Sequence, residues 1–382
     1  MRAFVMLVVM TGVAGVGAPA MAQDGPGLRV VEGELLLAGE PFRGIGVNYF
    51  DAFYRVLMDA DDTSYDEGFA TLAAMDIPFV RFMAAGFWPV HMRLYVDDRE
   101  EYFRRLDAVV ASAEAHGIGL IPSLFWHHAC VPDLVGEPVS AWGDADSETR
   151  AFMARYTRDV VERYRDSPAI WAWEFGNEYN LPADLPNAER MRPQVQPSLG
   201  TPAHRSEADD LTQAMVRSAK RAFARVVREI DGERMISSGD AGPRRYAWHN
   251  KVEGTWDADS PAQSAAMWAA DNPDPIDTLT ARDYAHHSDK PGWTIALDAG
   301  RALDKPVFVG EFGMRGEAFT NEQRQQFHEM LARIEREVVI AALWVYDFDH
   351  QDGEWNITAD NARAWQLEAV AEANARLRGE AE

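Results

Sequence analysis

Glu148-Thr-Arg-Ala-Phe-Met-Ala-Arg-Tyr-Thr-Arg-Asp-Val-Val-Glu-Arg-Tyr164 precedes Ile170-Trp-Ala-Trp-Glu-Phe175 in the middle of this chain. Aromatic or branched apolar residues recur every four positions in the first segment, at Phe152, Tyr156, Val160 and Tyr164. This spacing predicts a helix that packs along one side. The second segment is short, apolar and rich in tryptophan, which predicts a buried strand. A helix followed directly by a strand is the repeating unit of a parallel sheet.

Similar units extend in both directions along the chain. Eight short apolar runs predict strands: Gly44–Asn48, Phe79–Met83, Gly119–Phe125, Ile170–Phe175, Met235–Ser238, Ile276–Thr280, Val307–Gly310 and Ala341–Val345. The clearest helices are predicted at Glu101–His116, Glu148–Arg165, Ser206–Ile230, Glu322–Arg336 and Asn361–Leu377. No linker rich in Pro, Gly or Ser divides this series. We therefore predict an α/β fold, a single (β/α)8 TIM barrel over residues 23–382, in preference to an open doubly wound sheet.

Three further segments complete the predicted barrel. Residues 28–42 contain two apolar runs joined at Gly33-Glu34, which predicts an N-terminal β-hairpin that plugs the bottom of the barrel. Two long irregular stretches, Leu181–His204 and Ala241–Pro275, each follow a strand. We expect them to form long loops at the C-terminal face, where barrel enzymes build their sites.

Composition excludes several classes of protein. The 382 residues are 47% hydrophobic and 26% charged, as in an ordinary globular protein. Lys and Arg number 37 against 61 Asp and Glu, so the net charge of -24 repels phosphate backbones and argues against nucleic acid as a partner. The single cysteine, Cys130, has no partner for an internal disulfide.

The N-terminus has the pattern of a secretory signal peptide. Arg2 precedes an apolar run from Ala3 to Val16, and Ala20-Met-Ala22 has small residues at the positions that a signal peptidase reads. We predict a signal peptide over residues 1–22, cleaved after Ala22, and a secreted or periplasmic mature protein. No later segment approaches the run of about 20 apolar residues that a membrane helix needs. We therefore expect no membrane association after cleavage. We also expect the mature protein to be a monomer.

Two glutamates stand at the ends of predicted strands. Glu178 follows Ile170–Phe175 within Gly176-Asn177-Glu178, and Glu311 follows Val307–Gly310. In a barrel, the fourth and seventh strands nearly face each other, and both carboxyl groups would lie at the C-terminal mouth. Such a pair can flank a glycosidic bond, one group protonating the leaving oxygen and the other attacking the anomeric carbon.

From Gly44 to Trp344 the sequence resembles the retaining glycoside hydrolases of clan A, and most closely family 5, the cellulase and β-mannanase family. The resemblance implies a (β/α)8 barrel, Glu178 as the acid/base and Glu311 as the nucleophile. We expect no cofactor and no metal. The resemblance implies that Asn177 holds the sugar 2-hydroxyl and that Arg81 lies beside the nucleophile. It also implies further substrate contacts at Tyr284, Trp344, and His127 or His128.

The chain contains 12 tryptophans, several of them in predicted mouth loops. Sugar rings stack on indole faces, so we predict Trp88 and Trp126 as substrate-binding platforms. The other tryptophans in predicted loops are Trp142, Trp248, Trp256, Trp293 and Trp355.

One position departs from the family pattern, because Arg282-Asp283-Tyr284 stands where family 5 has His-x-Tyr. We expect Arg282 to form a salt bridge with Glu178 or Asp283, or else to bind an acidic substituent of the substrate. The mechanism also requires a raised pKa for Glu178 and carboxyl groups about 5–5.5 Å apart.

We therefore predict a retaining glycoside hydrolase that acts on a β-linked polysaccharide or oligosaccharide. β-Mannan is the first expected substrate and β-glucan the second. A glycan-binding barrel without turnover is one alternative. A metal-dependent barrel hydrolase using His127, His128, His286 and His287 is another, although the chain has neither an H-x-H after the first strand nor an H-E-x-x-H motif.

Overall fold

The computed structural model of the chain describes residues 25–284 and 292–380. The predicted signal peptide, His286, His287 and the side chain of Trp293 lie outside the described residues. The strands are β1 Leu28–Val31, β2 Glu34–Leu37, β3 Glu40–Pro41, β4 Gly44–Asn48, β5 Phe79–Met83, β6 Gly119–Phe125, β7 Ala172–Gly176, β8 Met235–Ser237, β9 Leu279–Tyr284, β10 Val307–Gly313 and β11 Ile340–Leu343. The helices are α1 Tyr54–Met58, α2 Ser64–Ala74, α3 Pro89–Asp97, α4 Arg99–His116, α5 Cys130–Val135, α6 Glu148–Tyr164, α7 Gln213–Ile230, α8 Ala247–Glu253, α9 Pro261–Asp271, α10 Gly292–Leu303, α11 Asn321–Glu337 and α12 Ala364–Leu377.

Strands β4 to β11 form one parallel sheet in the order β8-β7-β6-β5-β4-β11-β10-β9. The two ends of this order meet. The Asp277 N–H donates to the Ile236 carbonyl at 3.0 Å, and the Ser238 and Thr280 hydroxyls lie 2.8 Å apart. A nearly closed ring of eight parallel strands with helices outside confirms the predicted (β/α)8 TIM barrel.

Helix α6 shows why the helical stretches pack against the barrel. The four residues of its stripe, Phe152, Tyr156, Val160 and Tyr164, are all buried. The Ser147 side chain accepts a hydrogen bond from the Arg150 N–H and so caps the first turn. The stripe therefore lies in the layer between the helix and the strands, where burial of large apolar side chains stabilises each by about 1.5–3 kcal/mol.

The N-terminal hairpin covers the bottom of the barrel. β1 and β2 pair antiparallel, and Leu28 and Leu35 are buried against the first residues of barrel strands, among them Phe79 and Phe308. The Leu28 N–H also donates to the Trp171 carbonyl at 2.7 Å. The predicted hairpin is confirmed, and this end of the barrel is closed by apolar contacts.

The sixth barrel strand lies further along the chain than predicted. Ile276–Thr280 was expected, whereas β9 runs from Leu279 to Tyr284 and pairs with β10 along its whole length. Backbone pairing with β10 outweighs the polar character of the Arg282-Asp283 segment, because the carboxyl ends of barrel strands face a polar mouth. As a result, Arg282 and Tyr284 lie on a strand.

The second predicted loop contains regular structure. Residues 241–275 include α8 and α9, and α9 begins with a capping box formed by Ser260 and Gln263 with Pro261 in the first turn. That Ser-Pro-x-Gln pattern was the available helix signal. Residues 181–204 are irregular as predicted apart from short 3-10 turns. Among the described residues, no helix combines the length and apolar character that a membrane crossing requires.

Candidate active site

Glu178 lies in the tight turn that follows β7. Its backbone adopts a φ of 54°, a left-handed conformation that residues with a side chain seldom take. The Glu178 N–H donates to the Gly239 carbonyl at 3.0 Å. Gly239 also has a positive φ of 69°, and a side chain there would collide with the carbonyl of Gly176. This close approach of two loops holds the Glu178 side chain at the barrel mouth, 31% exposed.

Glu311 lies on β10 at an irregularity in the strand. The pairing of β10 with β9 changes register between Val309 and Glu311, a feature that re-aims the following side chain. The Glu311 carboxylate is nearly buried and has three partners. Arg81 Nη1 lies 3.0 Å from Oε1, Arg282 Nε lies 3.1 Å from Oε1, and the Tyr284 hydroxyl donates to Oε2 at 2.5 Å. Two cations and one hydroxyl donor thus surround this carboxylate.

Arg81 lies on β5, fully buried beneath the mouth. Its Nε donates to Glu174 Oε1 at 2.7 Å, its Nη1 to Asn48 Oδ1 at 3.0 Å, and its Nη2 to Asn177 Oδ1 at 2.8 Å. The guanidinium therefore joins four barrel strands, counting its contact with Glu311. Sequence reasoning did not identify Glu174 and Asn48. The signal was present, because a charged or amide side chain inside an apolar strand must find a buried partner.

Arg282 lies on β9 directly opposite Glu311 in the sheet. Its Nη2 donates to Asn177 Oδ1 and to the Gly239 carbonyl, both at 2.8 Å. Its Nε lies 3.1 Å from Glu311 Oε1 and 3.7 Å from Glu178 Oε1. The expected contact with Glu178 is present, but the closer ion pair is with Glu311. Because the side chain is only 5% exposed and donates within the protein, its position does not favour binding of an acidic substituent.

The two glutamates differ in their electrostatic surroundings. Burial, and then the charge of Glu311, raise the pKa of Glu178 to about 7, against the opposing influence of Arg282 and Arg81. Burial and the carboxylate of Glu311 also raise the pKa of Tyr284 well above its usual value. Tyr284 therefore stays a hydrogen-bond donor across the physiological range, and Glu178 holds its proton in acidic solution and in about half of the molecules near neutrality.

A cleft of about 570 Å³ opens in front of the two glutamates. Its wall is mainly aromatic: Phe50, Tyr54, Phe87, Trp88, Trp126, Tyr284, Trp344, Phe348 and Trp355. Trp344 and Trp126 lie with ring centroids 6.1 Å apart and planes inclined by 26°. Trp344 Nε1 donates to Gln351 Oε1 at 2.9 Å, which orients the ring. Flat apolar faces beside a few polar groups suit sugar rings, whose C–H faces stack and whose hydroxyls need partners.

A second cavity of about 830 Å³ adjoins this cleft and shares Tyr54, Phe348 and His350 with it. Its wall is acidic, because Arg55, which pairs with Asp51 and Asp347, faces seven carboxyl groups: Asp51, Asp59, Asp62, Glu67, Asp347, Asp349 and Asp360. The negative field of these side chains disfavours anionic ligands next to the cleft.

The family model described as "Cellulase (glycosyl hydrolase family 5)" matches residues 38–349. The chain belongs to glycosyl hydrolase family 5. The match spans all eight barrel strands, and both glutamates lie within it. The family resemblance found in the sequence is thereby confirmed.

Several similar proteins are named as a mannosidase, a mannanase or an endoglucanase. A protein of Aspergillus flavus named probable mannan endo-1,4-beta-mannosidase F is 36% identical over 89 residues, 22% of this chain and 19% of that protein. The match thus spans about a fifth of this curated relative. The endo-1,4-beta-mannanase from Rhizomucor miehei superposes with a TM-score of 0.65 at 18% identity over 92% of this chain and 99% of that chain. An endoglucanase from Pseudomonas stutzeri gives a TM-score of 0.56 at 17% identity over 92% and 97%.

Most of the predicted site residues of this family 5 chain come together. Asn177, Glu178, Tyr284, Glu311, Trp344, Trp88 and Trp126 line the cleft, and Arg81 lies directly beneath it. Trp355 also lines the cleft, whereas Trp142 is fully buried. Neither residues 181–204 nor residues 241–275 contribute to this lining. Residues 344–355 do so instead, because the chain after β11 folds back over the mouth.

His127 and His128 lie behind the cleft wall and are not among its lining residues. The His127 ring stacks on Phe87 at 4.6 Å between centroids, and its Nδ1 lies 3.1 Å from the Phe87 carbonyl. Burial lowers the pKa of His127 to about 4 and that of His128 to about 3. His127 therefore supports the segment that carries Phe87 and Trp88, whereas the His128 ring packs against His127 and Tyr179. Among the described residues, no three His, Cys, Asp or Glu side chains are grouped as metal ligands.

Proposed function

We propose that this protein is a retaining glycoside hydrolase, with Glu178 as general acid/base and Glu311 as nucleophile. The observation that carries the proposal is the placement of both carboxylates on one guanidinium at the floor of an aromatic cleft. Since Arg282 Nε lies 3.1 Å from Glu311 Oε1 and 3.7 Å from Glu178 Oε1, these oxygens are at most about 6.8 Å apart. That limit is compatible with the spacing of about 5–5.5 Å in retaining enzymes and lies at the lower end of the range of about 6.5–9.5 Å in inverting enzymes, which must admit a water molecule.

The division of roles follows from the surroundings of each carboxyl group. Glu178, with a pKa of about 7, carries the proton that the departing glycosidic oxygen needs. Glu311 is held by Arg81, Arg282 and Tyr284, so its Oε atoms are oriented before substrate arrives. Attack of Glu311 on the anomeric carbon breaks the C–O bond and forms a glycosyl ester. The Glu178 carboxylate then takes a proton from water while the water oxygen bonds to the anomeric carbon. This second displacement breaks the bond to Glu311, frees its carboxylate and leaves Glu178 protonated again.

Asn177 is oriented to bind a sugar hydroxyl. Its Oδ1 accepts hydrogen bonds from both Arg81 and Arg282, each at 2.8 Å. This double contact supports the assignment of the amide oxygen, because an NH2 group cannot accept from a guanidinium. The Nδ2 group therefore remains as the donor toward the cleft. This orientation suits a hydrogen bond to the 2-hydroxyl, a contact that strengthens at the transition state.

We propose β-1,4-mannan as the first substrate to test and β-glucan as the second. The names of the similar proteins support this order, and the acidic wall next to the cleft argues against strongly anionic glycans. We further propose that the protein is exported after cleavage behind Ala22 and acts as a monomer. N-terminal sequencing and light scattering of the protein from its natural host test these two points.

The experiment is hydrolysis of soluble β-mannan, β-glucan, xylan and an acidic algal polysaccharide by the purified protein. Glu178→Gln and Glu311→Gln are assayed beside it, and the anomeric form of the first product is followed by proton NMR. We expect release of reducing sugar from one neutral glycan with retention of configuration, and loss of release in both variants. Activity that survives in both variants, or inversion, contradicts the mechanism. Binding of a glycan without hydrolysis by the unmodified protein supports the glycan-binding alternative.

A further inference from the structure

Arg282 departs from the His-x-Tyr pattern of family 5. Its guanidinium contacts several elements at the mouth of the barrel. Its guanidinium touches four structural units: its own strand through the Ala281 carbonyl at 3.2 Å, the β7 end through Asn177, the β8 end through Gly239, and β10 through Glu311. On β10, a side chain at Gly310 would collide with Arg282 Nη1.

The same contacts connect Arg282 to the backbone of Glu178. The Gly239 carbonyl accepts from Arg282 Nη2 at 2.8 Å and from the Glu178 N–H at 3.0 Å. Asn177, which precedes Glu178, accepts from Arg282 as well. Arg282 thus braces the turn that places the acid/base, and its Nε reaches the nucleophile.

We infer that Arg282 is a positioning residue which aligns Glu178, Glu311 and Asn177 and whose fixed positive charge sets the pH range in which the two glutamates work. The inference rests on the proposed function. It goes further by assigning to this strand position a permanent cation, where a histidine would lose its charge near neutrality.

The balance of charge around the site explains the effect on pH. Two arginines, Arg81 and Arg282, face the carboxylates of Glu174 and Glu311. The net charge of these four side chains and Glu178 is therefore zero while Glu178 holds its proton. Loss of the proton leaves one uncompensated negative charge. Without Arg282 the group would already be negative, and ionisation of Glu178 would be harder. Among the described residues, other titratable or charged groups near the site are Tyr284 and His350 in the cleft wall. Behind Gly239 lie Asp240 with its buried partner Lys220, followed by Asp271 and Arg217.

The test compares pH profiles of kcat/KM for the unmodified protein, Arg282→Gln and Arg282→Lys on whichever glycan is hydrolysed. Arg205→Gln is the matched control, because Arg205 is also 5% exposed, is paired with Asp133 at 2.6 Å and lies outside the cleft lining. For Arg282→Gln we expect the alkaline limb to move up by about one pH unit. We also expect kcat to fall at least about tenfold, with a smaller change in KM. In Arg282→Lys we expect the alkaline limb of the pH profile at the same pH as in the unmodified protein. We expect kcat to recover only in part, because one ammonium group cannot donate to all the oxygens that Arg282 contacts. Arg205→Gln should leave the limb in place.

Four results decide the inference. An unmoved alkaline limb in Arg282→Gln overturns the role of charge, and an equal shift in Arg282→Lys does the same. If Arg282→Gln does not fold, Arg282→Lys decides alone: reduced kcat with an unmoved limb supports the inference, and unchanged kcat contradicts it. Activity remaining in Glu178→Gln and Glu311→Gln would instead refute the proposed function itself.

A measurement without turnover separates the two proposals. Glu178→Gln should raise Tm in alkaline solution, and the pH at which this increase begins should be higher in the Arg282→Gln background than in the unmodified background. The reason is that Glu178 loses its proton at higher pH when Arg282 is absent. The same pH range in both backgrounds would show that Arg282 does not act on Glu178, whatever the enzymatic activity.

Discussion

Replacing Glu178 with glutamine is expected to stabilise the folded protein in alkaline solution while it abolishes hydrolysis. Folding raises the pKa of this carboxyl group from 4.5 to about 7, because the group is buried and lies near the charge of Glu311. The folded state therefore holds the proton more tightly than the unfolded chain does. Its contribution to stability is complete below pH 4.5 and is lost as the pH rises through 7. Glutamine, which has the shape of the protonated acid and no charge, avoids that loss.

The magnitude follows from the two pKa values. Their difference corresponds to about 3 kcal/mol at pH 8. Because the Glu178 side chain is 31% exposed, solvent screening reduces the expected gain to about 1–2 kcal/mol. For a chain of this length, 1.5 kcal/mol corresponds to an increase in Tm of about 2 °C. At pH 4 the gain should be close to zero.

Differential scanning fluorimetry of the unmodified protein and Glu178→Gln at pH 4, 6 and 8 checks this expectation. Glu368→Gln, an exposed position in α12, is the matched control and should leave Tm unchanged at each pH. A Tm difference for Glu178→Gln that does not depend on pH, or that becomes negative at pH 8, would refute the reasoning. Either result would mean that Glu178 ionises without cost in the folded protein.

Three other expectations concern neighbouring side chains. Tyr284→Phe removes the 2.5 Å hydrogen bond to Glu311 and should lower kcat about 10–100-fold with little change in Tm; equal kcat would show that this bond is not used. Arg81→Gln leaves buried carboxylates without their cation and should reduce the free energy of unfolding by about 3–5 kcal/mol in urea, whereas a loss below about 1 kcal/mol would contradict its central place. Trp344→Ala removes a face of the cleft and should weaken binding of an oligosaccharide to Glu178→Gln, measured by calorimetry, by at least about tenfold; unchanged affinity would exclude stacking there.

The order of elements and the two strand-end glutamates could be predicted from the sequence because both depend on short-range pattern. Gly44–Asn48, Phe79–Met83 and Gly119–Phe125 have the same bounds in the structure as predicted, since continuous apolar runs between helices leave little choice of register. The strand after α9 was predicted at the wrong position, because the second half of β9 is polar and does not have the pattern of a buried strand. Its pairing with β10 is a long-range interaction that local pattern does not contain.

The sequence by itself determined the barrel, its bottom hairpin and which carboxylates stand at its mouth, because periodicity and strand ends are properties of neighbouring residues. Only the tertiary structure decided which side chains meet there. It brought Glu174 and Asn48 onto Arg81, moved His127 behind the wall, and placed Arg282 between the two glutamates. Those contacts join residues that are tens to hundreds of positions apart. Their distances and the charges they balance are set by the closure of the barrel, not by any local stretch of chain.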